Sequence, residues 1–411
     1  MSPSFRFKKF TYILAGLFQN INGKHLSSEM EDLEMTTALI FPFLSISTGH
    51  HHVADSLQAE LSLKAHHSET IDIFSHTYRR LEKVSSAAYL KWIQYFPKVY
   101  SSVYHILACG SHETYRRHLM YELIFLKSMK QMIEDKQPDI VFCTHALPSY
   151  LLNKLKGQFP NMKVVNVYTD FFVNRIWGRE HIDYHFAPIK DIKEQLLSEG
   201  VDEEKIFLTG IPVHRAYKAQ DQTAHHSEKK PFYNMLITGG SMGVGGIFKL
   251  VRELSPKGDV AYHILCGKNR KLYRYVNSLN HPLIQAFPYI ESKSEMNRLY
   301  ERASGMITKP GGVTISECIE KQLPAFIYHA LPGQEEMNMN LLKKRNLVIE
   351  LKDGNKQPIE EQLLSFFRSK ESLTRFQANV SQYLQEKSDL DISEILERII
   401  HNRPDLGNAH V

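Results

Sequence analysis

Three loops dense in glycine and polar side chains hold most of the groups in this sequence that could do chemistry. Thr238-Gly239-Gly240-Ser241-Met242-Gly243-Val244-Gly245-Gly246 carries five glycines in nine residues. It lies between the apolar run Asn234-Met235-Leu236-Ile237-Thr238 and a helical spacing of Ile247, Phe248, Leu250, Val251 and Leu254. Backbone N–H groups there can approach an anion at a helix start, a tight turn being the plain alternative. The glycines do not fit GxGxxG, and Gly267 stands where a dinucleotide site would want an acid, so that rival is disfavoured. In Thr308-Lys309-Pro310-Gly311-Gly312-Val313-Thr314-Ile315-Ser316-Glu317 two glycines open a helix that runs to about Gln322. Its free N–H groups and dipole suit a diphosphate. Glu317, a turn inside, could accept from two vicinal hydroxyls of a ribose, or simply complement the dipole. Leu331-Pro332-Gly333-Gln334-Glu335-Glu336-Met337-Asn338 offers amides and carboxylates of the kind that bind sugar hydroxyls, though an ordinary polar loop reads the same way.

These loops need strands and helices to hold them. Ala38 to Ile46 is a short apolar run, followed by Val53, Ala54, Leu57 and Leu61 at helical spacing. Asp139-Ile140-Val141-Phe142-Cys143 and Lys163-Val164-Val165-Asn166-Val167-Tyr168 repeat the strand signal, with helical segments such as 192–197 between and after. Beyond a polar stretch the alternation resumes with 234–238, Ile264-Leu265-Cys266, Gly305-Met306-Ile307 and 324–328. Continuous apolar strands separated by helices predict α/β domains with parallel sheets covered on both faces. The expected layout is a leader at 1–36, a first domain at 37–212, a linker at 213–231, a second domain at 232–370, and a helical segment at 371–411 returning to the first domain. Ligands then belong at the carboxyl ends of the strands, in the cleft between domains.

The 411 residues suit two middling domains, and 43% apolar with 23% charged residues excludes a disordered or collagen-like chain. Cys109, Cys143, Cys266 and Cys318 form no CxxC pair, which argues against a zinc ribbon and for a reduced, cytoplasmic protein. A net charge of +5 is too small for a dedicated nucleic-acid binder. The apolar stretch 11–18, preceded by Arg6, Lys8 and Lys9, is too short to span a bilayer and lacks a signal-peptide cleavage site. It reads equally as a membrane-touching tail or a plain leader. Between Arg79 and Lys130 nine basic residues face three glutamates, with nine aromatics including Trp92 interleaved. That pattern suits an anionic membrane surface, or a helical subdomain whose aromatics are core.

Lys309-Pro310-Gly311-Gly312-Val313-Thr314-Ile315-Ser316-Glu317 followed by Pro332-Gly333-Gln334-Glu335-x-x-Asn338 resembles the C-terminal signature of the monogalactosyldiacylglycerol synthase and processive diacylglycerol glucosyltransferase family. Leu265-Cys266-Gly267-Lys268-Asn269, Tyr168-Thr169-Asp170-Phe171, Trp177 and Gly210-Ile211-Pro212 match further family elements, and the resemblance runs from about Thr37 to Asn346 and beyond. It implies a GT-B fold, with two Rossmann-like domains facing a central cleft. A UDP-sugar would then sit on the C-terminal domain at Gly239, Gly240, Ser241, Lys268, Asn269, Lys309, Gly311, Gly312, Val313, Thr314, Glu317, Gln334, Glu335 and Asn338. Three positions depart from the family: Ser47-Thr48-Gly49-His50 lacks the first glycine of Gly-x-Gly-His, Asn174 replaces a histidine, and Pro288-Tyr289 replaces Gly-Tyr. They bear on the acceptor more than on the donor.

The activity implied is inverting transfer of a hexose from a UDP-sugar to a diacylglycerol-type lipid, on the inner face of the membrane. His50, after Gly49 at a strand-to-helix turn, is the candidate base. Asp170 is a candidate to support it, with a helix cap as the alternative. His51 and His52 should point elsewhere, because consecutive helical residues diverge, and that also argues against a three-histidine metal site. No DxD pair lies in a suitable loop, so backbone amides rather than a metal are expected to meet the leaving group's charge. His145, with Gly49 and Trp92, is placed on the acceptor side. A nucleotide-sugar epimerase or hydrolase, or a non-catalytic sugar-nucleotide binder, would keep the same C-terminal loops.

Overall fold

The computed structural model describes residues 36–42, 48–73, 119, 122–218, 233–243, 246–331, 333–352 and 357–401. The leader up to residue 35, Trp92 with most of the 79–130 segment, Cys109, and residues 219–231 of the expected linker lie outside the described residues. From Thr36 onward the chain forms one unit.

In the first half β1 (Thr37–Phe41) leads into α1 (Gly49–Leu63) and β2 (His67–Thr70). After α2 (Lys127–Lys136) come β3 (Ile140–Cys143), α3 (Ala146–Leu155), β4 (Lys163–Val167), β5 (Tyr184–Ala187), α4 (Lys190–Ser198) and β6 (Ile206–Leu208). Their order is β2-β1-β3-β4-β5-β6, every pair parallel. The apolar runs at β1, β3 and β4 are buried on both faces because helices cover both sides of the sheet. Phe41, Phe142 and Phe186 have no exposed surface. β2 reads His-Ser-Glu-Thr and has no apolar signal, as its place at the sheet edge permits.

The second half opens with β7 (Tyr233–Thr238), α5 (Ile247–Glu253), β8 (Val260–Leu265), α6 (Arg270–Ser278), β9 (Ile284–Phe287) and α7 (Lys293–Arg302). It continues with β10 (Gly305–Thr308), α8 (Gly312–Glu320), β11 (Ala325–Ile327), α9 (Gln334–Lys344), β12 (Ile349–Glu350) and α10 (Ile359–Arg368). The strands run β12-β11-β10-β7-β8-β9, again all parallel. Ile237, Tyr262 and Phe326 are fully buried at its centre.

Strand order fixes where a ligand can enter. Chain direction across each sheet reverses once, between β1 and β3 in the first and between β7 and β10 in the second. At such a switch point the connections leave to opposite sides and open a crevice at the strands' carboxyl ends. The loops at those ends are the ones carrying Gly49–His50 and Thr144–His145 in one sheet, and the glycine loop and Lys309–Gly312 in the other.

α11 (Lys370–Glu386) and α12 (Ile392–His401) return to the first half. The Tyr383 hydroxyl donates to the Pro188 carbonyl at 2.8 Å, and the Lys163 ammonium donates to the Ile399 carbonyl at 2.6 Å. His66 meets Glu397 at 3.2 Å, while Ile395, Leu396 and Ile399 are buried in the core that includes β1. Arg345 of the second half joins Asp191 at 2.8 Å and Glu386 at 3.1 Å. Cys143, Cys266 and Cys318 are buried and free. No helix among the described residues is long and apolar enough to cross a membrane.

Candidate active site

α1 starts at Gly49, so His50, His51 and His52 leave the helix about 100° apart and take three different partners. The His50 Nδ1 lies 2.7 Å from the Thr144 carbonyl and 2.9 Å from the Thr169 hydroxyl. A carbonyl can only accept, so Nδ1 carries the proton and Nε2 keeps the basic lone pair. The Thr169 hydroxyl is itself 3.4 Å from the Thr144 carbonyl and can accept from His50 while donating there. Burial lowers the His50 pKa, and the charge of Asp170 offsets part of that shift. The ring of His145 stands edge-on to His50, centroids 4.9 Å apart. Its Nδ1 caps α3 by accepting from the Leu147 amide at 3.1 Å. His51 turns to Asp72 at 3.0 Å.

His52 points elsewhere than His50 and reaches across the cleft to the glycine loop, its Nε2 at 3.1 Å from the Ser241 hydroxyl. Its Nδ1 is 3.1 Å from the Lys293 ammonium at the start of α7. Burial, Lys293 and His51 together push its pKa down to about 4.

On the opposite wall the glycine loop follows β7 and interlocks with the β8–α6 loop. A Cβ on Gly243 (φ +58°) would lie 2.0 Å from the Cys266 carbonyl, and one on Gly267 (φ +56°) 2.4 Å from that of Ser241. No side chain fits at either place. Gly239 is buried and Gly240 half-buried. Asn269, expected on the donor, spends its side chain on architecture: it caps α6 at the Leu272 amide (3.0 Å) and donates to the Gly243 carbonyl (2.9 Å). Lys268 sits over the Tyr289 ring at 5.0 Å. Gly311 caps α8, Gly312 and Val313 begin it, and Thr314 follows half-buried. The Glu317 carboxylate accepts from the Tyr300 hydroxyl at 2.6 Å. Burial raises its pKa, against the pull of Tyr300 and of the Lys293 charge.

The two walls touch. A Cβ on Gly312 would fall 2.1 Å from the Thr169 carbonyl, and one on Gly49 3.1 Å from the Val313 side chain. Asp170 bridges the gap. His50 donates its Nδ1–H toward the Thr144 carbonyl and the Thr169 hydroxyl, and Asp170 acts on it through charge rather than a hydrogen bond. The Asp170 carboxylate instead accepts from Gln334 and, at 2.8 Å, from Asn338. Asn338 also accepts from the Phe171 amide at 2.8 Å and donates to the Pro310 carbonyl at 3.0 Å. Glu335 is paired with Lys309 at 2.6 Å and takes the Leu331 amide at 2.8 Å. Burial raises the Asp170 pKa, while the His50 charge and the two amides lower it.

Sequence reasoning named Thr169 only as part of a motif and missed Thr144, Tyr300 and Lys293. The last two stand in a polar stretch without a motif. The one usable signal was Ser292, three residues before Glu295, which caps α7 and so sets Lys293 at its start.

A family model described as monogalactosyldiacylglycerol (MGDG) synthase matches residues 50–213. YkoN of Bacillus subtilis (strain 168), described as an uncharacterized glycosyltransferase, is 61% identical over 368 residues, covering 89% of this chain and 98% of YkoN. A processive diacylglycerol beta-glucosyltransferase of Bacillus cereus (strain G9842) is 28% identical over 319 residues, covering 75% of this chain and 80% of that one. Among solved structures, MurG of Acinetobacter baumannii superposes with a TM-score of 0.56 at 13% identity, over 89% of this chain and 98% of MurG. Two switch-point crevices on two parallel six-stranded sheets form a GT-B fold, and the 61% identity to YkoN over 89% of the chain makes the protein a glycosyltransferase. Within that class, the chain belongs to the monogalactosyldiacylglycerol synthase and processive diacylglycerol glucosyltransferase family.

Proposed function

We propose that this protein transfers a hexose from a UDP-sugar to a lipid hydroxyl, with diacylglycerol, the acceptor in the name of its relatives, as the first candidate. The observation that carries the reading is His50: its Nδ1–H is committed to Thr144 and Thr169, which leaves Nε2 as a neutral base beside the N-terminus of α8. In the proposed reaction the acceptor hydroxyl gives its proton to His50 Nε2. The oxygen attacks the sugar's anomeric carbon opposite the diphosphate, and UDP departs with the bonding electrons, so the configuration inverts. Amides around Gly240, Ser241, Gly311, Gly312 and Val313 take up the developing charge. No metal is assigned to the step. Glu317 would hold the ribose, and Gln334 and Glu335 the sugar once they exchange their present partners. The basic, aromatic 79–130 segment with Trp92 would dock the first domain on an anionic membrane surface, at the cytoplasmic inner face.

Labelled UDP-glucose, UDP-galactose and UDP-N-acetylglucosamine, each with and without diacylglycerol vesicles, test the reading. Lipid-dependent UDP release, with a product of inverted anomeric configuration, is the expected result. Lipid-independent turnover would indicate an epimerase or hydrolase, and binding without turnover a sugar-nucleotide sensor.

A further inference from the structure

Lys293 and His52 occupy a position that the proposed reaction leaves unused. Lys293 is half-buried at the start of α7, and no carboxylate among the described residues lies within ion-pairing distance of it. Among the described residues its hydrogen bond goes to a neutral acceptor, Nδ1 of His52, at 3.1 Å. An ammonium can only donate, so His52 must carry its proton on Nε2, which donates to the Ser241 hydroxyl at 3.1 Å. Two of the three Lys293 N–H donors therefore remain available. Lys309, after β10, is by contrast neutralised by Glu335 at 2.6 Å. A half-buried cation without an ion-pair partner is costly unless an anion arrives to meet it. The location says which anion. Ser241 belongs to the glycine loop, and Lys293 is close enough to Glu317 for its charge to act on that carboxylate.

We infer that Lys293, held in place by His52 of the opposite domain, grips the diphosphate of the donor nucleotide between the glycine loop and Glu317. The inference rests on the sugar-nucleotide reading above and adds a fixed positive charge to the amides as the group that receives the leaving diphosphate. It also makes the N-terminal domain a participant in donor binding. His52, reaching over from α1, is a positioning residue, because it carries no charge of its own and sets where the ammonium sits.

Titration calorimetry of the full chain with UDP, UMP and uridine at one fixed salt concentration tests this. Lys293→Met should weaken UDP binding roughly ten- to a hundredfold, the loss typical of a charge-assisted hydrogen bond, and leave uridine unchanged. Lys293→Arg should recover most of the UDP affinity. His52→Ala should weaken UDP several-fold, again sparing uridine, and it carries the test alone if Lys293→Met does not fold. Wild-type UDP affinity in both Lys293→Met and His52→Ala overturns the inference, as does an equal loss for UDP and uridine. If the unaltered protein binds neither UDP nor uridine, the sugar-nucleotide reading falls and takes this inference with it.

Discussion

Gly312→Ala tests whether the contact between the two walls of the cleft lies on the catalytic path. The added Cβ would stand 2.1 Å from the Thr169 carbonyl and 2.9 Å from the Ile211 side chain. The Thr169 contact is more than an ångström inside ordinary van der Waals distance, and it sets a Cβ fixed to the main chain against a backbone carbonyl, so no rotamer can relieve it. What can give is the separation of the two halves. Opening by that much breaks the Asn338–Phe171 and Asn338–Asp170 bonds, each 2.8 Å long. Overpacking of this kind costs ~1–3 kcal/mol, which shifts an open–closed equilibrium about 5- to 150-fold. The strands and their buried side chains are left unchanged, so the melting temperature should fall by only a few degrees and uridine binding should hold. Lipid-dependent transfer should fall by the 5- to 150-fold factor. The assay is UDP release from the preferred UDP-sugar on diacylglycerol vesicles, run beside uridine calorimetry. Wild-type turnover in a folded Gly312→Ala protein would refute the reasoning, since the closed contact would then be dispensable.

His50→Gln should retain UDP-sugar binding and lose turnover by ~10²–10⁴-fold, the usual worth of a general base; kcat against KM for the transfer reaction reads this directly. Because burial lowers the His50 pKa and the neutral ring is the active form, the acid limb of kcat/KM should lie at lower pH than an ordinary histidine would give. Asp170→Asn removes the charge that raises that pKa, so the acid limb should move to still lower pH; an upward move would contradict the assignment. Glu317→Ala should weaken UDP and uridine alike by roughly ten- to a hundredfold, measured by calorimetry, a pattern opposite to that expected of Lys293→Met. Vesicle pelleting should require anionic lipid and fall with added salt, and changing Arg79, Arg80 and Lys83 to Gln with Trp92→Ala should reduce it.

The parallel sheets were readable because their central strands are buried on both faces and leave unbroken apolar runs, as at β3 and β4. β2 was not, since His67-Ser68-Glu69-Thr70 pairs through backbone alone at an edge. The loops of the site were legible through their glycines, whose need follows from backbone crowding at Gly243, Gly267 and Gly312. Partnerships across the cleft were not. Nothing local in Asp170 says that its acceptors face α9 rather than His50, and nothing in His52 says that it turns toward Ser241. Such contacts depend on how two separately encoded crevices meet, and one-dimensional spacing carries no record of that. The tautomer of His50 was likewise hidden until the Thr144 carbonyl was seen against Nδ1.

The return of α12 to the first half has a consequence for biosynthesis. β6 completes the first sheet, yet Ile395, Leu396 and Ile399 fill a share of its core, and the Ile399 carbonyl is where Lys163 donates. A growing chain must add about 190 residues after β6 before that share can be supplied. At ~5–20 residues per second the delay is about 10–40 s, far longer than collapse or helix formation take. Throughout it, the nascent first half displays an unfilled apolar surface while the second domain is still being made. Folding of this protein on the ribosome is therefore not a sequence of finished domains, and the waiting surface is where a chaperone would find it.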